Sequence, residues 1–219
     1  MVRDAVAVGG GGRQAALTRP RVGTQMKEAG DRTPVTAGDR AAVAAQLGRE
    51  PRAVRAVASR CPCGLPAVIE TAPRLPDGTP FPTLFYLTCP KAASAIGTLE
   101  GSGVMREMQD RLAADPELKA EYAAAHEDYL RRRDEAARET GVEPLPEGTQ
   151  SAGGMPTRVK CLHALIAHEM AVPGANPFGR EALEALPEWW RSGPCVDVDA
   201  GEAGNGLPDA GRRTEGEAR

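Results

Sequence analysis

The chain has 219 residues, a formal net charge of −3 and a hydrophobic fraction of 41%. That length accommodates one domain with additional ends, the small net charge offers no global field for nucleic acid or an anionic membrane, and no apolar run approaches the ~20 residues that cross a bilayer. One early Arg is not followed by the roughly 7–15-residue apolar stretch of a secretory leader, so the expectation is a soluble cytoplasmic protein. Aromatic residues contribute only 4%, and the core must therefore be mainly aliphatic.

In chain order, residues 1–37 read as a disordered extension. Gly9–Gly12, Pro20, Gly23, Gly30 and Pro34 leave no hydrophobic period, and Met26 is an alternative start. A single α+β domain is expected over 38–197. Asp39 is expected to cap a helix over Arg40–Leu47, stopped by Gly48. Residues 52–60 read as extended, anchored by Val54 and Val57. Leu65–Thr71 and Pro82–Thr88 then form a hairpin around the turn signal Pro76-Asp77-Gly78. Pro90 suits the first position of a helix carrying Ala92, Ile96 and Leu99 on one face. Met105, Met108 and Leu112 mark another helix after Gly103.

Asp115-Pro116 opens a long helix with a stripe of Leu118, Tyr122, Ala125 and Tyr129, expected outer pairs Glu127–Arg131 and Asp128–Arg132, and an end at Gly141. Pro144–Gly154 reads as a loop, Pro156–Met170 as a helix and Arg180–Leu186 as a short one. Residues 198–219 are again Gly-rich, charged and expected to be disordered. The class is a small antiparallel sheet, the hairpin plus a preceding strand, covered by several helices.

Five cysteines carry the chemical signal: Cys61, Cys63, Cys89, Cys161 and Cys195. An odd number argues against a fully paired disulfide framework, which leaves metal ligands, catalytic thiols or buried small hydrophobes. Antiparallel pairing about Asp77-Gly78 makes facing positions sum to about 155. Cys89 then falls opposite Pro66, beside the Cys61-Pro62-Cys63 turn, so three sulfurs gather at one end of the sheet. Cys89 also precedes a helix start, where unpaired backbone N–H groups favour a thiolate.

A metal site needs four N or S donors. Cys61, Cys89, Cys161 and His163 can supply them, with Cys63, Cys195 and His168 in reserve, for zinc or an iron–sulfur cluster. In a regular helix the apolar face is Val159, Leu162, Ile166 and Met170, and Cys161 and His168 point away from it. Cys161 and His163 can share an ion only if Cys161 lies in a frayed first turn. His168 is two turns away, about 10 Å along the axis.

Ser151-Ala152-Gly153-Gly154, with Arg158 and Lys160, resembles an anion-binding turn ahead of a helix but lacks the ending of a phosphate-binding loop. The plainer reading is a flexible turn. His126 reads as packed or surface, Arg131-Arg132-Arg133 as a solvated face, and Trp189-Trp190 as an anchor for the C-terminal segment. The alternatives to a metal-binding domain are an enzyme and an interaction module. The enzyme would be thiol- or metal-dependent, acting on a phosphate-bearing or other anionic small molecule. The module would use the long helix and the tryptophan pair.

Several motifs in order resemble the bacterial DUF501 family, common in actinobacteria. They are Arg60-Cys61-Pro62-Cys63-Gly64-Leu65-Pro66, Phe81-Pro82-Thr83-Leu84-Phe85-Tyr86-Leu87-Thr88-Cys89-Pro90, Gly153-Gly154, Val159-Lys160-Cys161-Leu162-His163, Ala167-His168 and Asn176-Pro177-Phe178-Gly179. The resemblance spans roughly residues 38–196. It implies no assigned activity, centres the pattern on Cys61, Cys89, Cys161 and His163, and makes Cys63 the weakest ligand.

Overall fold

The computed structural model describes residues 32–198. The expectations for residues 1–31, including the start at Met26, and for 199–219 lie outside that range. Four strands form one antiparallel sheet in the order β1 (Thr33–Pro34), β2 (Val54–Arg60), β3 (Pro66–Thr71) and β4 (Phe85–Leu87). Six helices accompany it: α1 (Ala37–Leu47), α2 (Pro90–Glu100), α3 (Val104–Ala114), α4 (Pro116–Thr140), α5 (Leu162–Ala171) and α6 (Pro177–Ala185).

The domain begins earlier than residue 38, because Thr33 and Pro34 pair with Val57 and Ala56. The cap of α1 also moves. Thr36, not Asp39, is the N-cap: its hydroxyl accepts the Asp39 N–H while the Asp39 carboxylate accepts the Thr36 N–H, a reciprocal capping box. Arg60 donates to both Asp39 carboxylate oxygens, at 2.6 and 3.0 Å, and ties α1 to the end of β2. Gly48 closes the helix at φ 65°, a left-handed conformation that a Cβ disfavours.

The hairpin register is Val68↔Leu87, Ile69↔Tyr86 and Glu70↔Phe85, each pair summing to the expected value. β3 is buried along its whole length, since α1 packs against it and α5 crosses the sheet. Its one charged residue, Glu70, is neutralised by Arg55 and Arg32.

Two helix starts differ from the periodicity. α5 begins at Leu162, six residues after the expected Pro156. The intervening N–H groups have other acceptors: Arg158 bonds Gly154 O, Val159 bonds Gln109 Oε1 and Lys160 bonds Gly153 O. α6 begins at Pro177, three residues before Arg180, because Asn176 is its N-cap and accepts the Gly179 N–H at 2.8 Å. Gly179 is required by proximity, since a Cβ there would stand 2.3 Å from the Leu165 carbonyl oxygen.

On α4 the Asp115 cap, the Tyr122–Ala125–Tyr129 stripe and the Gly141 stop are as expected. Arg131 pairs with Asp128 and Glu135 rather than Glu127. Arg133 is not on a solvated face. It is buried at 3% exposure and donates to the carbonyls of Thr149 and Gln150, fastening the loop before α5. Tyr129 accepts the Leu84 N–H at 2.7 Å and so holds the approach to β4.

Candidate metal sites at the two ends of α2

The Cys61–Leu65 turn is narrow. Gly64 N bonds Cys61 O at 2.8 Å, Cys61 N bonds Leu65 O at 2.9 Å, and Gly64 has φ 91°. This geometry directs the Cys63 N–H onto the Cys61 sulfur. Across the hairpin, Cys89 is the N-cap of α2, with no side-chain hydrogen bond to the helix N–H groups, and the nearby Ala92 N–H favours its thiolate. Cys61 and Cys89 are both buried and lie close enough to shift each other's ionisation, as the pairing register requires.

The fourth sulfur in this region belongs to Cys195. The C-terminal segment returns because Lys91, in the first turn of α2, donates to the Ser192 and Gly193 carbonyls and to the Ser192 hydroxyl. Trp189 and Trp190 pack edge to face, 4.7 Å between centroids, against the core. Cys195 then lies 3.7 Å from Cys63, contacts Cys89, and receives the Gln46 side-chain N–H at 3.2 Å. Hydrogen bonding to Cys89, then burial, pushes the Cys61 thiol up. The Cys61 thiol and the Ala92 N–H lower Cys89 against the effect of burial. Burial raises Cys195.

At the other end of α2, Glu100, Cys161 and His163 converge with their ligand atoms all within 4.8 Å of one another. Cys161 is the N-cap of α5, at φ −152° and ψ 106°, outside the helix as a shared site with His163 demands. His163 Nδ1 lies 3.2 Å from Glu100 Oε1 and its Nε2 lies 3.1 Å from the Ala93 carbonyl oxygen. A carbonyl can only accept, so Nε2 carries a proton. Glu100 Oε1 also accepts the Leu162 N–H at 2.7 Å, which fixes the carboxylate against the start of α5. The four ligands expected at one site thus divide between two groups, and α2, 11 residues or about 16 Å long, separates Cys89 from Glu100. Glu100 carried no sequence signal as a ligand: it lies 61 positions before Cys161 and its place depends on how α2 meets α5.

His168 is fully buried, not turned away from the core. Asn176 Nδ2 donates to its Nδ1 at 3.4 Å, and its Nε2 bonds Asp128 Oδ2 at 3.2 Å, so both nitrogens are engaged. Burial opposes ionisation of Asp128, but hydrogen bonds from His168, Arg132 and Arg131 outweigh it and hold the carboxyl below its ordinary range.

Gly153 and Gly154 do not open a helix. A Cβ at Gly153 would stand 2.5 Å from Leu165 Cδ2 and one at Gly154 2.6 Å from Arg158 O, so both are packing glycines with positive φ. Gly154 lines a cavity of about 490 Å³ together with His126, Thr149, Arg158 and Lys160, among others. His126 Nδ1 and Ser151 Oγ are 2.8 Å apart beside it.

A mixed α+β domain with a group of cysteines at one end of a helix and a Glu–Cys–His group at the other is the class that the fold and these side chains define. Residues 57–184, more than half of the chain, match the family described as protein of unknown function (DUF501), and the chain belongs to that family. No curated protein and no solved structure matches it. No helix among the described residues is long and apolar enough to cross a membrane.

Proposed function

We propose that this protein binds a divalent metal ion, zinc by donor chemistry, through Cys161, His163 and Glu100. The observation that carries the reading is the orientation of His163. With Nε2–H directed at the Ala93 carbonyl, Nδ1 faces the Glu100 carboxylate and the Cys161 sulfur. A metal-bound histidine has this arrangement, its second nitrogen held by a backbone acceptor. One thiolate, one imidazole and one carboxylate suit zinc better than an iron–sulfur cluster, which draws on several thiolates. Three protein ligands leave one tetrahedral position for water or substrate, as in catalytic zinc sites. The side chains of His163 and Glu100 are 33% and 23% exposed, so that position is reachable.

A cysteine nucleophile activated by His163 is less well supported, because Glu100 Oε1 lies 3.2 Å from Nδ1, the nitrogen that would take the Cys161 proton. The competing plain account is an imidazolium–carboxylate ion pair. Titration of apo-protein with cobalt(II) separates the two. The metal reading expects a saturable visible component of a low-coordinate site that is missing from His163→Ala and whose affinity falls at least tenfold in Glu100→Gln, whatever cobalt the distant cysteines take up. A spectrum identical in wild type and both variants refutes it.

A second reading concerns the cavity beside Gly154. Arg158 and Lys160 line it, and neither forms an ion pair among the described residues, which supports an anionic or phosphate-bearing ligand. Calorimetry with inorganic phosphate checks this: binding should be lost in the Arg158→Ala/Lys160→Ala double variant, and absence of binding to wild type overturns it. Five free cysteines support a reducing, cytoplasmic setting for either role.

A further inference from the structure

The four thiols at the N-terminal end of α2 lie apart from the Glu100 group, and their arrangement calls for its own account. Their contacts run in a ring: Cys61 to Cys89, Cys89 to Cys195, Cys195 to Cys63 and Cys63 to Cys61. We propose that Cys61, Cys63, Cys89 and Cys195 form a second, closed site for one zinc ion that clamps the hairpin end, the start of α2 and the returning C-terminal segment together.

Three observations support this independently of the first site. The Cys63–Cys195 sulfur separation, 3.7 Å, matches the edge of a tetrahedron with metal–sulfur bonds near 2.3 Å, which is about 3.8 Å. It is far beyond the ~2.05 Å of a disulfide. Second, N–H groups already face the sulfurs, as they do around bound thiolates: the Gln46 amide donates to Cys195 at 3.2 Å, and the Cys63 and Ala92 N–H groups stand beside Cys61 and Cys89. Third, the ligands come from three chain segments far apart in sequence: the turn after β2, the start of α2 and the C-terminal segment. Lys91 and Gln46 hold the last of these in place from the exposed side.

Packing alone explains these features less well. Small apolar residues would fill the space without directing N–H donors at it, and the four sulfurs include the one on a tail segment. No three of the sulfurs all lie within 4.8 Å of one another, so the ring is flatter than a tetrahedron. Loading must shorten its diagonals, with the displaced thiol protons passing to solvent. A single ion fits a 3.7 Å edge. A multi-iron cluster, with sulfides between its metals, holds its cysteines farther apart.

The test uses the full chain with the first site removed by Cys161→Ser/His163→Ala, purified without oxygen. The proposal expects about one zinc per chain by elemental analysis, and X-ray absorption showing sulfur neighbours only, near 2.3 Å. It further expects that Cys195→Ser in the same background lowers zinc affinity at least a hundredfold. Where Cys195→Ser fails to fold, the double variant alone decides through protection from alkylation. With zinc bound, Cys61, Cys63, Cys89 and Cys195 should all resist iodoacetamide, and all four should react after chelation. Absence of zinc from the double variant, nitrogen or oxygen in its metal shell, a visible iron–sulfur spectrum, or alkylation unaffected by zinc each overturn the proposal. Loss of cobalt binding at Glu100 and His163 leaves these readouts unchanged, so the two sites fail separately.

Discussion

Single side chains settle much of this domain. Gly179 allows α6 to approach the Leu165 carbonyl on α5, and an added methyl would meet that oxygen at 2.3 Å. Backbone cannot yield as a flexible side chain does. Gly179→Ala is therefore expected to destabilise the domain by about 1–3 kcal/mol, with a lower Tm in thermal melts; an unchanged Tm would show that α6 shifts freely. Asp39 offers a pH signature. Hydrogen bonds from Arg60 first, then from Thr36, outweigh burial and hold its carboxyl down from 3.8 to about 2. A depressed folded-state value means that the stabilisation is full above the unfolded value, near 4, and disappears as pH falls towards 2. Because Arg60 is 38% exposed, solvent screening limits the effect to about 1–2 kcal/mol. Asp39→Asn should flatten stability against pH between 4 and 2 in denaturant titrations.

Elements were legible in the sequence where short-range rules set them. The Asp77-Gly78 turn and the flanking alternation are enough to place Val68 opposite Leu87 and hence Cys89 beside Cys61. Asp115-Pro116 and Gly141 bound α4 without help from the rest of the fold. The start of α5 was not legible, because Val159 and Leu162 share a helical phase while the Val159 N–H is taken by Gln109 on α3. That long-range hydrogen bond replaces six residues of expected helix with a turn, and it places Cys161 at the cap. Nor did any local pattern indicate that Arg133, within a run of three arginines, faces inward. The link between α4 and the sheet can be tested at one atom. Tyr129→Phe removes the acceptor of the buried Leu84 N–H and is expected to lower stability by about 1–3 kcal/mol. Hydrogen exchange should quicken first at Leu84 and Phe85. Equal exchange across all of β4 would indicate global loosening instead.

At the scale of the whole molecule, α2 acts as a spacer between two sulfur-bearing groups, and the C-terminal segment completes only one of them. Cys195 could not be placed from sequence, since its position depends on Lys91 and Gln46, neither of which shares a motif with it. Lys91→Ala removes three hydrogen bonds to residues 192 and 193. It should speed Cys195 alkylation several-fold and expose residues 187–195 to protease, with a Tm change under about 1 kcal/mol in equivalent stability, because Lys91 is a surface cation. Unchanged alkylation would mean that the tryptophan pair holds the segment unaided.

The contact between Cys63 and Cys195 joins residues 132 positions apart. On the ribosome, at roughly 5–20 residues per second, the later cysteine follows the earlier by about 7–26 seconds. For the last four-fifths or so of that interval the hairpin turn and Cys89 are already synthesised, with their sulfurs facing an unfilled position. The nascent domain must be kept from oxidation or from another chain's thiol until its last segment arrives. Closure of this ring therefore marks the point at which synthesis of the domain is complete, and a transcript cut short before residue 195 would release a chain whose thiols remain open.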